Sequence, residues 1–224
     1  MSKTLRLPEE LCYIFGLLAL GLGAGLMEHA GFGLSMVVAP AYVLHVTLVD
    51  YLPWFSFGVA EDVVQLLLLL VMMPVVKRFR ISYAFSFVSA VLYGLILDGM
   101  VLLTGLIPSE LLVVRILMYA VGLVFSATGV AFMLRTYIPP EIYELFVREV
   151  SDVYHLEETH VKLIYDISSC VVAAALSLLL LHRLEGVGWG TVVCALVNGI
   201  LMGIIGKAID KRVTYTRWIP KRKE

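Results

Sequence analysis

The chain reads as an all-α, polytopic membrane protein with about six transmembrane helices, arranged as two inverted three-span repeats. Three observations predict this. First, 60% of the 224 residues are hydrophobic and only 16% are charged, with a mean hydropathy of +0.93; soluble domains carry about 25% charged residues. Second, apolar runs of roughly 20 residues, the length that crosses a bilayer, recur along the whole chain and leave no room for a separate soluble domain. Third, the stretch YIFGLLALGLGAGLM at residues 13–27 returns as YAVGLVFSATGVAFM at residues 119–133.

At a constant offset of 106, Tyr13 matches Tyr119, Gly16 matches Gly122, Leu17 matches Leu123, Gly23 matches Gly129 and Met27 matches Met133. The match continues at an offset of 105, where Glu61 meets Asp166, Arg78 meets Arg183, Ala90 meets Ala195 and Gly94 meets Gly199. Weak internal symmetry in an apolar sequence is the usual trace of a repeated membrane fold. The reading is therefore one membrane domain over residues 1–224. Repeat 1 covers about 11–104, repeat 2 about 111–207, and a basic tail covers 208–224.

Taken in order, residues 11–27 form the first span. They follow a short polar start with Lys3 and Arg6, and resemble a signal peptide; the mid-chain copy at Tyr119 argues for a retained helix. Residues 31–53 are apolar but interrupted by Gly31, Gly33, Pro40, His45, Asp50 and Pro53. Such a piece is expected to be re-entrant or interfacial, because protein or a water-filled cavity must satisfy its backbone. Residues 54–76 and 82–103 make the second and third spans, and 111–134 the fourth. From residue 142, Ile142, Leu145, Phe146, Val150 and Val153 lie opposite Glu141, Glu144, Arg148, Glu149 and Asp152. That spacing predicts an amphipathic helix on the membrane surface, occupying the place of the interrupted piece in the first half. Spans five and six cover 161–181 and 189–205. The basic tail then runs from Lys207 through Arg217 to Lys221 and Lys223, with Trp218 suited to the interface.

With six spans, every lysine and arginine except Arg115 and Arg183 falls on the side of the amino terminus. The positive-inside rule thus predicts a multi-pass protein of the plasma membrane with both termini cytoplasmic. Three spans per repeat is an odd number, so the second repeat enters from the opposite face. That is the architecture of many secondary transporters, with a site near the midplane between the halves.

Ionisable residues inside spans cost about 2.5 to 3.5 kcal/mol each on insertion scales, so each calls for a reason. Glu61, Asp62 and Gln65 in the second span, Asp98 in the third, and Glu28 with His29 at the end of the first are candidates for a polar solute or ion site. Glu61 and Gln65 share a helical face. The structural alternative pairs Asp98 with Arg115 and leaves Glu28 and His29 at the interface. Asp166, the repeat mate of Glu61, and Asn198 extend the candidate route into the second half, although Lys162 is an alternative partner for Asp166. Gly21, Gly25, Gly199 and Gly203 have small-xxx-small spacing, which favours close helix packing. A glycine-rich lead-in to the last helix offers a second kind of site, with Gly188, Gly190 and Thr191 holding an anion through free N–H groups. It lacks the lysine and the preceding strand of a nucleotide loop.

Cys12, Cys170 and Cys194 lie in apolar runs and indicate packing rather than disulfides or metal ligation. No nucleophile with a base at usable spacing, no HExxH motif and no Cys/His cluster is present. An enzyme is not expected, and neither a cofactor nor a metal nor a nucleic-acid partner is implied.

The segments GLLALGLGAGLMEHAGFGLS (residues 16–35) and GVGWGTVVCALVNG (residues 186–199) resemble the opening glycine-rich helix with its G-x-G-x-S loop, and the closing G-x-G-T-x-x-x-A-x-x-x-G segment, of the YczE/YitT-like family of small prokaryotic membrane proteins. Residues 36–38 depart from that pattern, which has a proline, an aromatic and an aspartate after the serine. The resemblance implies a multi-span inner-membrane protein with an undefined substrate. The function expected is transporter-like, with a small-solute or ion site between the repeats, a small solute or cation being the expected partner beside the lipid bilayer and a homo-oligomer a further option. The alternatives are a substrate-capture subunit of a larger transporter, and a non-transporting regulator or scaffold that recruits a cytoplasmic partner through the acidic helix at 141–152 and the basic tail.

Overall fold

The computed structural model describes residues 5–217. The elements are β1 (Leu5–Pro8), α1 (Glu9–Ala30), α2 (Ala39–Leu48), α3 (Phe57–Val76), α4 (Ser82–Thr104), α5 (Leu112–Met133), α6 (Ile142–Tyr154), α7 (Glu158–Leu181), α8 (Trp189–Arg212) and β2 (Val213–Thr216). Helices α1, α3, α4, α5, α7 and α8 are each long and apolar enough to cross a membrane. The chain is thus an all-α, polytopic membrane protein, and six crossings return the carboxyl-terminal end to the face where the chain starts.

The bundle is built on an antiparallel crossing of α1 and α5. Gly16 lies against the Gly129 carbonyl and Met133, and Gly23 against Gly122 and the backbone of Ser126. A Cβ on Gly23 would stand 2.5 Å from Ser126 N, and one on Gly129 would stand 2.6 Å from the Gly16 carbonyl oxygen. Only glycine lets these backbones come so close. The other face of α1 takes α4, where Gly21 sits on Ile96 and Gly25 on Met100 and Thr104. Helix α8 packs on α5, held by the Tyr119 hydroxyl, which donates to the Gly190 carbonyl. Helix α3 packs on α4 with Gly58 against the Gly94 carbonyl.

Two short helices fill the space between α3 and α7. Helix α2 docks on α3 through Tyr42 and His45, whose rings meet Phe57 at 5.3 and 6.0 Å, while His45 Nδ1 lies 2.9 Å from the Phe55 carbonyl oxygen. This is the interrupted piece expected from residues 31–53.

Helix α6 departs from expectation. It has the expected helical extent, but it does not lie on a membrane surface. Its first backbone N–H, that of Ile142, donates to Gln65 Oε1 at 3.0 Å, and Gln65 is near the middle of the 20-residue α3. Its last residue, Tyr154, donates to the Val75 carbonyl at the end of α3. The 13 residues of α6 rise about 1.5 Å each, roughly half the thickness of the bundle. The preceding segment, 134–141, therefore runs back into the bundle, and the Ser89 hydroxyl meets the Pro139 carbonyl on the way at 3.1 Å. The polar stripe misled the sequence reading because two of its acids are buried inside the protein: Glu141, and Glu149, which is bound by Arg80 Nη1 and the Tyr83 hydroxyl at 2.9 Å each. Periodicity reports which residues share a face and says nothing about what covers that face.

The tail is also more ordered than a basic tail implies. Helix α8 continues through Lys207 and Lys211 to Arg212, and β2 then pairs parallel with β1, Leu5 opposite Val213. Glu9 closes this clasp: Oε1 binds Arg217 Nε at 2.7 Å and Oε2 accepts the Tyr137 N–H at 2.7 Å. Trp218, Lys221 and Lys223 lie outside the described residues. Helices α7 and α8 barely touch, and Gly199 and Gly203 face open space, so of the small-xxx-small pairs only Gly21 and Gly25 pack within the chain. The bare faces of α7 and α8 are apolar, with Ile164, Val171 and Leu179 on one and Leu196 and Ile200 on the other. Lipid tails solvate such side chains as well as a protein neighbour does.

The crossing can be tested by substitution. Gly23→Ala forces α1 and α5 apart and is expected to cost about 1–3 kcal/mol, the usual range for overpacking. Gly199→Ala meets nothing, and is expected to leave stability unchanged or raise it by up to about 1 kcal/mol. Thermal unfolding of both purified variants in detergent reads the difference.

Candidate functional site

The site is built around α3. Glu61 and Gln65 stand one turn apart on its buried face, and both are 0% exposed. Gln65 is fully committed. Its Oε1 accepts the Ile142 N–H, and its Nε2 reaches Glu141 Oε2 at 3.4 Å. The amide thus anchors the start of α6 in mid-bundle and brings a second acid, Glu141 (3% exposed), to within electrostatic reach of Glu61. Tyrosines from three further elements close the space: Tyr143 from α6 next to Glu61, Tyr93 from α4 facing both acids, and Tyr165 from α7. Tyr13 of α1 faces Glu141.

This cluster is under-bonded. Both Glu61 oxygens, Glu141 Oε1 and the hydroxyls of Tyr13, Tyr93 and Tyr143 make no well-formed hydrogen bond within the chain, although Tyr143 stands beside Glu61 and Tyr13 beside Ser89. Among the described residues no lysine, arginine or histidine forms an ion pair with Glu61 or Glu141. Natural interiors leave few polar groups unpaired, so a concentration of them at one point marks a place where something else binds. No group of three or more His, Cys, Asp or Glu side chains among the described residues can hold a metal ion.

The other candidates fall into separate places. Asp166 is 18% exposed, 3.8 Å from Lys162 Nζ, and linked electrostatically to the central acids by Glu144 of α6. The structure thus supplies the alternative partner anticipated for Asp166, at a distance that leaves its buried Oδ1 without a hydrogen bond. Asn198, one turn beyond Cys194 on α8, also has an unpaired Oδ1, and Cys194 is within electrostatic reach of Asp166. Asp62 points the other way, to Gly94 and Asp98 on α4.

Asp98 is not paired with Arg115. It accepts from the Ser56 hydroxyl at 2.5 Å and the Gly58 N–H at 2.7 Å, so it caps α3 from a neighbouring helix and holds it in place. Arg115 instead donates to the Ala30 carbonyl at 2.7 Å and lies over the Phe32 ring. His29 Nε2 lies 3.0 Å from the Ile107 carbonyl oxygen in an exposed loop contact, far from Glu61. Glu28 lines a cavity of about 260 Å³ on the face opposite the termini, with Phe32, Tyr42, Glu185 and Trp189. Burial, and then the nearby Glu28, push the Tyr42 phenol up to about 12.

The anion reading of the last helix does not survive. The Gly188 N–H donates to Thr191 Oγ1 at 3.1 Å and the Gly190 N–H to the Phe32 carbonyl at 2.8 Å. The protein itself consumes these donors, and the neighbouring cavity carries Glu28 and Glu185, which repel an anion.

Of the sequence candidates the structure brings Glu61 and Gln65 to this cluster, whereas Glu141, Tyr143 and Tyr93 were not among them. Glu141 directly follows Pro139 and Pro140, and that break between an apolar span and a short amphipathic helix is the signal that could have marked a re-entrant turn.

Burial, with Glu144 and Glu61 beside it, holds the Glu141 carboxyl well above the usual carboxylate range. The folded protein keeps that proton where the unfolded chain, with a pKa of about 4.3, has lost it. Stability is therefore full below that value and declines as pH rises toward the folded pKa. Glu141→Gln is expected to flatten this decline, as read by thermal midpoints across a pH series.

Comparison with curated proteins and with solved structures returned no match. A family model does match, over residues 7–207. It covers all six spans up to the last turns of α8, and the chain belongs to DUF6198, a family of unknown function.

Proposed function

We propose that this protein is a secondary-transporter-like carrier of the plasma membrane, with both termini in the cytoplasm and a small-solute or ion site between its two halves. The observation that carries the reading is Glu61, fully buried in mid-bundle with no cationic partner among the described residues. An unpaired acid inside a membrane protein is costly to keep and lies, as a rule, on a substrate or ion pathway. The non-helical segment 134–141 beside it is tolerated where it is buried in protein or lines a cavity, as in the broken helices of transporters.

The packing supports two inverted repeats. The contact of Gly16 with Gly129 has an exchanged counterpart in that of Gly122 with Gly23, and under the offset of 106 each is the image of the other. A two-fold axis across the helices requires such an exchange. Helices α2 and α6, which follow the first span of each half, both pack between α3 and α7. We read the family as akin to the YczE/YitT-like proteins and the activity as non-enzymatic. Recruitment of a partner through the acidic helix is disfavoured, because Glu141 and Glu149 are buried.

The test is reconstitution into liposomes and a screen of cations, amino acids and organic anions under imposed gradients. Uptake of at least one class is expected, and Glu61→Gln is expected to reduce it to background while the protein stays folded. No flux of any solute under any gradient would overturn the reading.

A further inference from the structure

We infer that Glu61 and Glu141 form a paired proton-binding site where α6 begins, and that the ion taken by the carrier proposed above is the proton. The coupling rests on that carrier reading; the site itself does not.

Two acids reach this point from different segments, one on α3 and one on the re-entrant turn, and both are buried. Of their four oxygens only Glu141 Oε2 has a bond of good geometry, the long 3.4 Å one from Gln65, and Glu61 has the Tyr143 hydroxyl beside it, outside good hydrogen-bond geometry. The titratable groups within electrostatic reach of the pair are Tyr93 from α4, Tyr143 and Glu144 from α6, Tyr165 from α7, Tyr13 from α1 and Asp62, whose carboxyl points from α3 toward Gly94. All of these are acids or phenols. Lys162, the basic residue that pairs with Asp166, forms no ion pair with either acid. Two carboxylate charges cannot persist together in such a space, since buried charges must be paired or neutralised.

A metal cation is a poor neutraliser here. No group of three or more His, Cys, Asp or Glu side chains that could hold a metal ion exists among the described residues, and the Gln65 carbonyl oxygen is already taken by the Ile142 N–H. A proton needs no coordination shell. Each carboxylate takes one proton from water, forming an O–H bond, and returns it to water on release. The Tyr143 hydroxyl beside Glu61 and the Tyr93 hydroxyl can accept from that O–H or donate to the remaining oxygen. Glu144 and the partly exposed Asp166 give a line of acids leading away from the pair.

Infrared spectroscopy of the purified full-length protein tests the site directly. The C=O stretch of protonated carboxyl groups is expected at neutral pH, to diminish in both Glu61→Gln and Glu141→Gln, and to be unchanged by sodium. Should either variant fail to fold, the wild-type band must still disappear on alkaline titration. Absence of the band at neutral pH, or its loss when sodium is added, would overturn the inference, the second result in favour of a metal-cation site. Flux measurements separate the two claims. Solute uptake that moves no protons, read by a pH-sensitive dye inside the liposomes, and that survives a protonophore would sink the proton coupling and leave the carrier intact. A band assigned to Glu61 and Glu141 in a protein that moves no solute would sink the carrier and leave the proton site.

Discussion

The antiparallel crossing of α1 and α5 is the constraint from which the rest of the bundle follows. Inside a bilayer the hydrophobic effect does not drive helices together, so association depends on close packing and on the few polar contacts available. Glycines at 16, 23, 122 and 129 remove the side chains that would hold these two backbones apart, and each helix lies against the carbonyls of the other. With that pair formed, α4 docks on α1 and α8 on α5, while α3 reaches the centre through α4 and α7 through the two short helices.

The short helices then decide what the centre contains. Were α6 on a surface, Glu141 and Glu149 would be solvated and Gln65 would have no partner. Because segment 134–141 turns back into the bundle, the Ile142 N–H needs an acceptor away from water, and Gln65 supplies it. Every polar group at this depth has to be answered from within the protein. Gln65 and Ser89 answer theirs. Glu61 and Glu141 do not, and so a backbone requirement met by Gln65 leaves two acids facing each other's electrostatic field. This is a physical ground for placing function at the centre rather than at the outer cavity, where Glu28 and Glu185 stand beside Tyr42, His45 and Arg183.

Much of the fold was legible in the chain. Run length and polarity alone determined six spans, because hydrocarbon thickness sets the length of a crossing helix and admits few charges. The glycines that mark the repeat are the ones at which α1 and α5 meet, although small-xxx-small spacing points elsewhere in the sequence, and Glu61 and Gln65 were visible as polar residues in an apolar run, whose burial is expensive wherever it occurs. Only the tertiary structure could decide which polar residues meet. Asp98 resembles Glu61 in sequence, yet it caps α3 through Ser56 and Gly58, since its oxygens happen to face a helix end. The N–H groups of Gly188 and Gly190 look free in the sequence and are consumed by Thr191 and Phe32. Glu141 looks like a surface acid because an amphipathic pattern has the same period whether its polar side meets water or the interior of a bundle. Local pattern reports what each residue costs to bury; the path of the backbone between helices decides which partner, if any, offsets that cost.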